Sequence, residues 1–176
     1  MAEPQRFRAN VGIVVLNGKW EVLALDRIDK DALKKGEKKG TGQWQMPQGG
    51  LDEGEEPENA WKRELMEEIH VSAEDVLLLG SYPEWLAYEL PKEVRAKPDV
   101  QAKQGRGQVQ KWFFVRLKDG AKIVLEPENP QNQEFFEHKW MSLDALAEET
   151  WEVRRPIYRK LALHINVLKQ TGKERQ

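Results

Sequence analysis

Runs of apolar residues mark most of the predicted strands. The segment VGIVVLNGKWEVLAL carries two β-rich runs on either side of Asn17-Gly18, a dipeptide that favours a tight primed hairpin turn. VLLLGSY predicts a further strand, and HKWMS predicts another near the end of the chain. WFFVRL and KIVLE flank Asp119-Gly120, so a second hairpin is predicted there.

Helical spacing of apolar residues appears in the middle and at the end of the chain. An apolar stripe repeats every four residues at Trp61, Leu65 and Ile69. Pro57 suits a first helical turn, so a helix is predicted over 57–69. A short helix capped by Ser142 is predicted over 142–149, and a longer terminal helix over 155–168.

The remaining segments have no clear periodicity. Residues 28–43 are rich in Lys and Gly and predict an exposed, flexible loop, and the basic stretch 91–108 is expected to be irregular. The tail at 169–176 is expected to fray. Hairpins with interspersed helices favour an α+β fold or a three-layer sandwich over a doubly wound sheet, in one domain spanning 1–176 with its core at about 6–168.

Composition narrows the classes of protein. The chain has 176 residues, of which 39% are hydrophobic and 33% charged, and it contains no cysteine, which excludes disulfides, thiolate nucleophiles and cysteine-based zinc sites. No apolar leader or run of about 18 apolar residues is present, so a soluble, cytoplasmic protein is expected. The net charge is only −2, but eight acids fall within 52–68 and six basic residues within 92–111.

Three carboxylates crowd one face of the predicted helix 57–69. Glu64, Glu67 and Glu68 share a single quadrant at spacings of i, i+3 and i+4, where like charges repel. One interpretation is a solvated acidic face. The other is a site for a hard divalent cation such as Mg²⁺ or Mn²⁺, which prefers oxygen ligands.

The loop before this helix distinguishes the two interpretations. Over residues 49–71 the order is Gly49, Glu55, Arg63-Glu64-Leu65, Glu67-Glu68 and His70-Val71. This order and its spacing resemble the signature of Nudix hydrolases, with His70 where the family usually has glycine. The resemblance implies an α/β/α sandwich with a mixed central sheet and the acidic helix packed on it.

The resemblance also implies roles for the residues of the signature. Glu64, Glu67 and Glu68 are expected to hold Mg²⁺ or Mn²⁺, and the absence of a side chain at Gly49 lets a backbone carbonyl join them. Arg63 is expected to pair with Glu55 in a structural role. His is comparatively tolerant of the left-handed conformation that ends a helix, so His70 is expected to be tolerated there.

Similarity extends beyond the signature to RFRANVGIVV, WQMPQGG, YPEWLAYELPKEV, GQVQKWFFVRL and RRPIYRKL. These segments resemble bacterial RNA pyrophosphohydrolases and the related asymmetric dinucleoside-tetraphosphate hydrolases. The resemblance implies that the following residues contact substrate: Arg8, Arg27, Tyr82, Lys111 and Arg154. It further implies that Glu134 approaches the metals or the attacking water.

Two aromatic features bear on base recognition. Tyr82, Trp85 and Tyr88 belong to a segment that is substrate-facing in the relatives. Relatives often carry an aromatic residue just before the basic pair matched by Arg154-Arg155, but here Val153 occupies that place. If the chain is extended locally, Trp151 shares a face with Val153 and can substitute; if it is helical, Trp151 points elsewhere.

The expected activity is metal-assisted hydrolysis of a phosphoanhydride in a nucleoside polyphosphate, with Glu64 or Glu134 as the base. The favoured substrate is the triphosphorylated 5′ end of RNA, because basic segments at 30–39 and 92–111 suit a nucleic-acid backbone. Diadenosine tetraphosphate is the alternative substrate. A non-catalytic nucleotide-binding or RNA-binding module is the alternative from another class, and the intact glutamates argue against it.

Overall fold

A single mixed sheet organises the computed structural model, which describes residues 6–173. Its strands are β1 (Phe7–Leu16), β2 (Val22–Ile28), β3 (Gly40–Gln45), β4 (Gln48–Gly50), β5 (Val76–Ser81), β6 (Leu86–Glu89), β7 (Gly107–Leu117) and β8 (Phe135–Met141). The main order is β3-β2-β1-β7-β5, with β4 paired to β1, β6 to β7 and β8 to β2. β1 and β7 run parallel and the other pairs are antiparallel, so the predicted mixed sheet is confirmed.

Strands β1 and β2 separate at the centre of the sheet. β1 pairs with β2 only where Leu16 meets Val22, whereas its first half pairs with β4, placing Asn10 opposite Gly50 and Gly12 opposite Gln48. The short strand that carries the glycine pair is therefore held against the middle of the sheet. A cleft opens beside this strand.

Helices cover both faces of the sheet. They are α1 (Lys30–Lys34), α2 (Pro57–Ile69), α3 (Lys92–Arg95), α4 (Pro98–Gln104), α5 (Leu143–Glu149) and α6 (Arg155–Lys173). Alternate residues of β1 point to opposite faces: Val11, Ile13 and Val15 pack with α2, while Val14 and Leu16 pack with α5 and α6. The α/β/α sandwich predicted from the resemblance is confirmed.

The bounds of α2 agree with the sequence prediction. Trp61, Leu65 and Ile69 are buried, and Pro57 lies in the first turn. The helix ends at His70, which has the left-handed conformation (φ 55°, ψ 34°). The ring of His70 supports this ending, because its Nδ1–H donates to the Val124 carbonyl oxygen at 2.8 Å.

The first predicted hairpin is present, because β1 pairs antiparallel with β2 where Leu16 meets Val22, but its turn differs from the prediction, and the second predicted hairpin is wrong. Residues 17–21 form a loop rather than a two-residue turn, and the left-handed residue there is Trp20 (φ 64°). Gly120 does make a turn (φ 86°), but the segment after it is not a strand. The amide of Val124 instead donates to the Ile69 carbonyl at 3.0 Å, so this segment closes over the end of α2.

Three segments expected to lack structure are partly ordered. Residues 28–43 contain α1, capped by Asp29, and β3, and the stretch 91–108 contains α3 and α4. α6 continues to Lys173, so residues 169–173 are helical, and 174–176 lie outside the described residues. Within 6–173, none of the helices combines the length and apolar character that a membrane span needs.

Candidate active site

The glycine pair of β4 lies directly against the acidic helix. A Cβ atom on Gly49 would overlap the carboxylate of Glu64, so only glycine fits here without displacing that side chain. The neighbouring amide of Gln48 donates to Glu68 Oε2 at 3.1 Å. β4 therefore positions two of the predicted metal-binding carboxylates through its backbone.

The three glutamates of α2 have different environments. Glu64 and Glu68 are buried, with 7% and 6% of their surfaces exposed, whereas the side chain of Glu67 is 57% exposed. Burial raises the pKa of Glu64, and burial together with the charges of Glu64 and Glu134 raises the pKa of Glu68 well above its usual value. Buried carboxylates that repel one another are a donor set suited to a divalent cation.

Arg63 ties the loop to the helix. Its guanidinium donates to both carboxylate oxygens of Glu55, at 2.9 and 2.7 Å, and to the Gly50 carbonyl oxygen at 2.9 Å. The bonds from Arg63, with a further bond from the Asp52 amide, lower the pKa of Glu55 to about 2. The pairing that the resemblance implies is therefore present in the structure.

Arg63 also contacts the candidate metal ligands. Its Nη1 atom donates to Glu64 at 2.7 Å and to Glu67 at 3.2 Å, so one guanidinium group compensates both charges. Among residues 6–173, no three acidic or histidine side chains are gathered as a preassembled cation cage. The carboxylate oxygens are suitable ligands for a hard cation. To bind the same cation, Glu64 and Glu67 must first release their hydrogen bonds to Arg63.

Glu134 approaches the same carboxylates from the loop before β8. It pairs with Arg27 at 3.0 Å, and its charge contributes to raising the pKa of both Glu64 and Glu68. The backbone holds the loop in place, because the Ile28 amide donates to the Glu134 carbonyl oxygen at 2.9 Å. Glu134 is thus a neighbour of the buried carboxylates although it is distant in sequence.

A cleft of about 370 Å³ opens beside Gly49 and Gly50. Three predicted substrate contacts line it: Arg8, Arg27 and Arg154. The guanidinium of Arg8 lies so close to Gly50 that a Cβ there would overlap it. Arg154 donates to Gln45 Oε1 at 3.1 Å. Three cations therefore face a cleft that adjoins the buried glutamates.

Aromatic residues are divided between the cleft and other surfaces. Trp151 and Tyr88 line the cleft, and the guanidinium of Arg154 lies 5.8 Å from the centre of the Trp151 ring. Trp151 immediately precedes a short 3₁₀ turn at Glu152–Arg154, so it reaches the cleft without an extended segment. Tyr82 and Lys111 do not line this cleft: Tyr82 packs against His164, and Lys111 donates to the Tyr82 carbonyl oxygen at 2.6 Å.

Sequence reasoning missed two groups of residues in the cleft. One is an amide group comprising Asn10, Gln48, Gln104 and Gln108. The other is an apolar wall from Leu90, Val94 and Val100, carried by the segment with α3 and α4. The available signal for the first was polar residues inside strongly apolar strands. No comparable signal marked the wall, because α3 and α4 are too short for helical periodicity to show.

Comparison with known proteins identifies the family. The NUDIX domain profile matches residues 6–161. The chain belongs to the Nudix hydrolase family. Members of this family act on nucleoside polyphosphates and need divalent cations, generally Mg²⁺ or Mn²⁺.

Individual relatives refine this placement. The chain is 38% identical over 170 residues to an RNA pyrophosphohydrolase of Sulfurovum sp., covering 93% of this chain and 96% of the relative. It is 35% identical over 161 residues to the chloroplastic Nudix hydrolase 26 of Arabidopsis thaliana, covering 90% and 68% respectively. A solved C. elegans Ap4A hydrolase complex shares the fold, with a TM-score of 0.61 at 20% identity, and covers 90% of this chain and 98% of that one.

Proposed function

We propose that the protein is an RNA pyrophosphohydrolase that uses Mg²⁺ or Mn²⁺ to remove pyrophosphate from triphosphorylated 5′ ends. The observation that carries the proposal is the convergence of Arg8, Arg27 and Arg154 on a cleft adjoining Gly49 and the buried glutamates. A polyphosphate chain needs cationic groups along its length and carboxylates beside it to hold cations. The chain is 38% and 34% identical in sequence to two RNA pyrophosphohydrolases over nearly its whole length, which supports the same substrate class.

The residues divide the chemistry among themselves. Glu64, Glu67, Glu68 and the Gly49 carbonyl, with Glu134 nearby, would hold the cations, which when bound neutralise phosphate charge and lower the pKa of a bound water. Arg8, Arg27 and Arg154 bind phosphate oxygens and orient the chain of phosphates. Because the Glu64 carboxylate is enclosed by Gly49 and Arg63, the more accessible Glu134 is the better placed proton acceptor.

Arg27 couples substrate binding to this acceptor. It pairs with Glu134 at 3.0 Å. A phosphate that draws Arg27 towards itself frees the Glu134 carboxylate to take a proton from water. Binding and activation of the base would then occur together.

An exposed basic surface favours RNA over a dinucleotide. Lys30, Lys34, Lys35, Lys38 and Lys39 are all exposed. Lys38 donates to Gln133 at 2.8 Å, next to Glu134, so this surface adjoins the active site. It can follow the backbone of nucleotides downstream of the 5′ end. Lys34 and Lys39 of this surface pair with Asp31 and Glu37. In the second basic segment Arg95 is buried and Arg106 pairs with Glu89, so part of the positive charge in both segments is already compensated or buried.

The test compares two substrates under identical conditions. We expect a higher kcat/KM with triphosphorylated RNA than with diadenosine tetraphosphate, and a preference for longer RNA that weakens as salt rises. A higher kcat/KM with diadenosine tetraphosphate would instead assign the enzyme to the dinucleotide. Turnover of neither would contradict the proposal and favour a binding module.

A further inference from the structure

Four buried amide side chains form a cluster where β1, β4 and β7 meet. Asn10, Gln48, Gln108 and Gln110 are 2%, 8%, 5% and 1% exposed. Strand pairing brings Asn10 opposite both Gly50 and Gln110. Asn10, Gln48 and Gln108 line the active-site cleft, whereas Gln110 lies behind them.

Gln110 sets the orientation of its neighbours. Its NH₂ group has two N–H bonds, which donate to Asn10 Oδ1 at 2.9 Å and Gln48 Oε1 at 3.1 Å, and Gln108 Oε1 lies further from the same nitrogen, at 3.4 Å. Each of the three oxygens is therefore directed inward, towards a single amide nitrogen. Because a carboxamide carries its oxygen and its NH₂ group on opposite sides, the remaining NH₂ groups are directed away from Gln110.

The NH₂ group of Gln108 has a protein partner, since it donates to Gln104 at 3.1 Å. Those of Asn10 and Gln48 form no hydrogen bond to a protein group within residues 6–173. Neither nitrogen is among the fully enclosed side-chain atoms that lack a partner, so both are open to the cleft that these two residues line. A molecule in the cleft can therefore accept hydrogen bonds from them.

We propose that the amide nitrogens of Asn10 and Gln48 bind oxygens of the substrate polyphosphate, and that Gln110 is the positioning residue that turns them towards the cleft. The inference deepens the proposed function and rests on it for the identity of the substrate. Phosphate is the fitting ligand because Gly50 and the guanidinium of Arg8 adjoin the same strand pair. The guanidinium groups of the arginines and the amide nitrogens of Asn10 and Gln48 would then both donate hydrogen bonds to the phosphates.

Neutral donors have an advantage at this position. The backbone amide of Gln48 already bonds Glu68, one of the candidate metal ligands. A lysine in place of Gln48 would bring a positive charge close to the candidate metal ligands and compete electrostatically with the cation. An amide binds a phosphate oxygen without neutralising those carboxylates.

The test uses substitutions that keep side-chain volume. Gln48→Met removes one NH₂ group, and Gln110→Glu replaces the central donor by a carboxylate that accepts from Asn10 and Gln48, which turns their oxygens towards the cleft. Gln43→Met is the matched control, because Gln43 is an exposed amide on β3 outside the cleft. Asn10→Asp serves as the second cleft variant should one of the others fail to fold, since it keeps the bond to Gln110.

Binding is measured by calorimetry with inorganic tripolyphosphate, and separately with adenosine and guanosine, in a metal-free buffer. We expect Gln48→Met to raise the Kd for tripolyphosphate about tenfold, as for a lost bond to a charged group. Gln110→Glu should raise it further, and Gln43→Met should leave it unchanged. With triphosphorylated RNA and Mg²⁺, KM should rise while kcat stays within about twofold, which a general loss of structure would not produce.

Several outcomes would overturn the inference. One is an unchanged Kd for tripolyphosphate in the folded cleft variants, and another is no tripolyphosphate binding by the unmodified protein. Weaker binding of a nucleoside with tripolyphosphate unaffected would assign the amides to the base instead. Amide-dependent tripolyphosphate binding in a protein that hydrolyses neither RNA nor diadenosine tetraphosphate would support the inference while refuting the proposed function.

Discussion

Gly49 lies directly beneath the carboxylate of Glu64, and any side chain at position 49 would overlap it. This contact joins the sheet to the acidic helix at the atom group on which the proposed chemistry depends. A substitution at Gly49 in β4 therefore displaces Glu64, which lies fifteen residues later, in α2.

Gly49→Ala should displace Glu64 while leaving the core intact. Because misplacing a catalytic group by about 1 Å can cost roughly 100-fold, we expect kcat to fall by about that factor. The matched control is Gly18→Ala, since a Cβ on Gly18 meets nothing within 4 Å. Equal activity of the two variants would contradict a role for this contact.

Glu67→Gln should abolish turnover without affecting the fold, because the side chain is 57% exposed and contributes little to packing. Even the outer partners of metal ligands are worth roughly 10- to 100-fold in activity, so a direct ligand should cost at least about 100-fold. Steady-state kinetics and circular dichroism check the two halves of the prediction. Glu58→Gln, at an exposed position of the same helix, is the control. A fully active Glu67→Gln protein would refute its assignment as a ligand.

Glu68→Gln should separate stability from metal binding. Removing a buried carboxylate near Glu64 and Glu134 relieves desolvation and repulsion, so the metal-free variant should melt at a higher temperature than the metal-free wild type. The wild type should gain about 2.7 kcal/mol when Mg²⁺ or Mn²⁺ reaches 100 times its Kd. The Glu68→Gln variant should gain much less stability from the same metal. Thermal melts with and without millimolar metal measure both effects, and a wild type indifferent to metal would contradict the metal site.

The Glu55–Arg63 pair predicts a specific dependence of stability on pH. The pKa of Glu55 is lowered to about 2 in the folded protein from an ordinary value of 4.5, chiefly by the hydrogen bonds from Arg63. Its contribution to stability is therefore fully present above about pH 4.5 and is lost as the pH falls towards 2. The difference in unfolding free energy between the wild type and Glu55→Gln should be constant near neutral pH and shrink below pH 4.5. Urea unfolding across this range provides the measurement, and a gap that widens on acidification would show that another group dominates.

His70 combines an unfavourable backbone conformation with a favourable ring contact. His70→Gly relieves about 1 kcal/mol of left-handed strain and loses a hydrogen bond to Val124 worth about 1 kcal/mol, so its unfolding free energy should change little. His70→Ala loses the bond without the relief and should be less stable by about 1 kcal/mol. Chemical denaturation of the two variants distinguishes them. If alanine proves as stable as glycine, the left-handed conformation costs nothing at this position; if alanine proves as stable as the wild type, the ring contact contributes nothing.

Local patterns predicted α2, and the resemblance of residues 49–71 to the Nudix signature implied its chemistry, because both kinds of information lie within one stretch of chain. Pro57, the apolar stripe and the left-handed residue His70 determine the helix, and the glutamates follow from their spacing along it. The same holds for α5, whose cap Ser142 accepts from the Ala145 amide at 3.2 Å.

Features that depend on distant partners were not predictable in this way. Residues 122–126 have the composition of a strand, but the amide of Val124 donates to the Ile69 carbonyl at the end of α2 and the segment joins no strand ladder. The orientation of Asn10 and Gln48 depends on Gln110, which the strand pairing brings to them from the other half of the chain. A polar residue within an apolar strand indicates only that some partner exists, not which one.

The parallel pairing of β1 with β7 has a consequence for how the protein is made. Asn10 and Gln110 are separated by 100 residues, so the ribosome must synthesise most of the chain before the two can meet. Until β7 has been synthesised, β1 cannot form this pairing in the nascent chain. A nascent chain arrested before residue 107 should therefore carry the glutamate-bearing segment but lack β7, and with it Gln110, which orients Asn10 and Gln48. If the proposed function holds, the ability to bind substrate should arise late in translation.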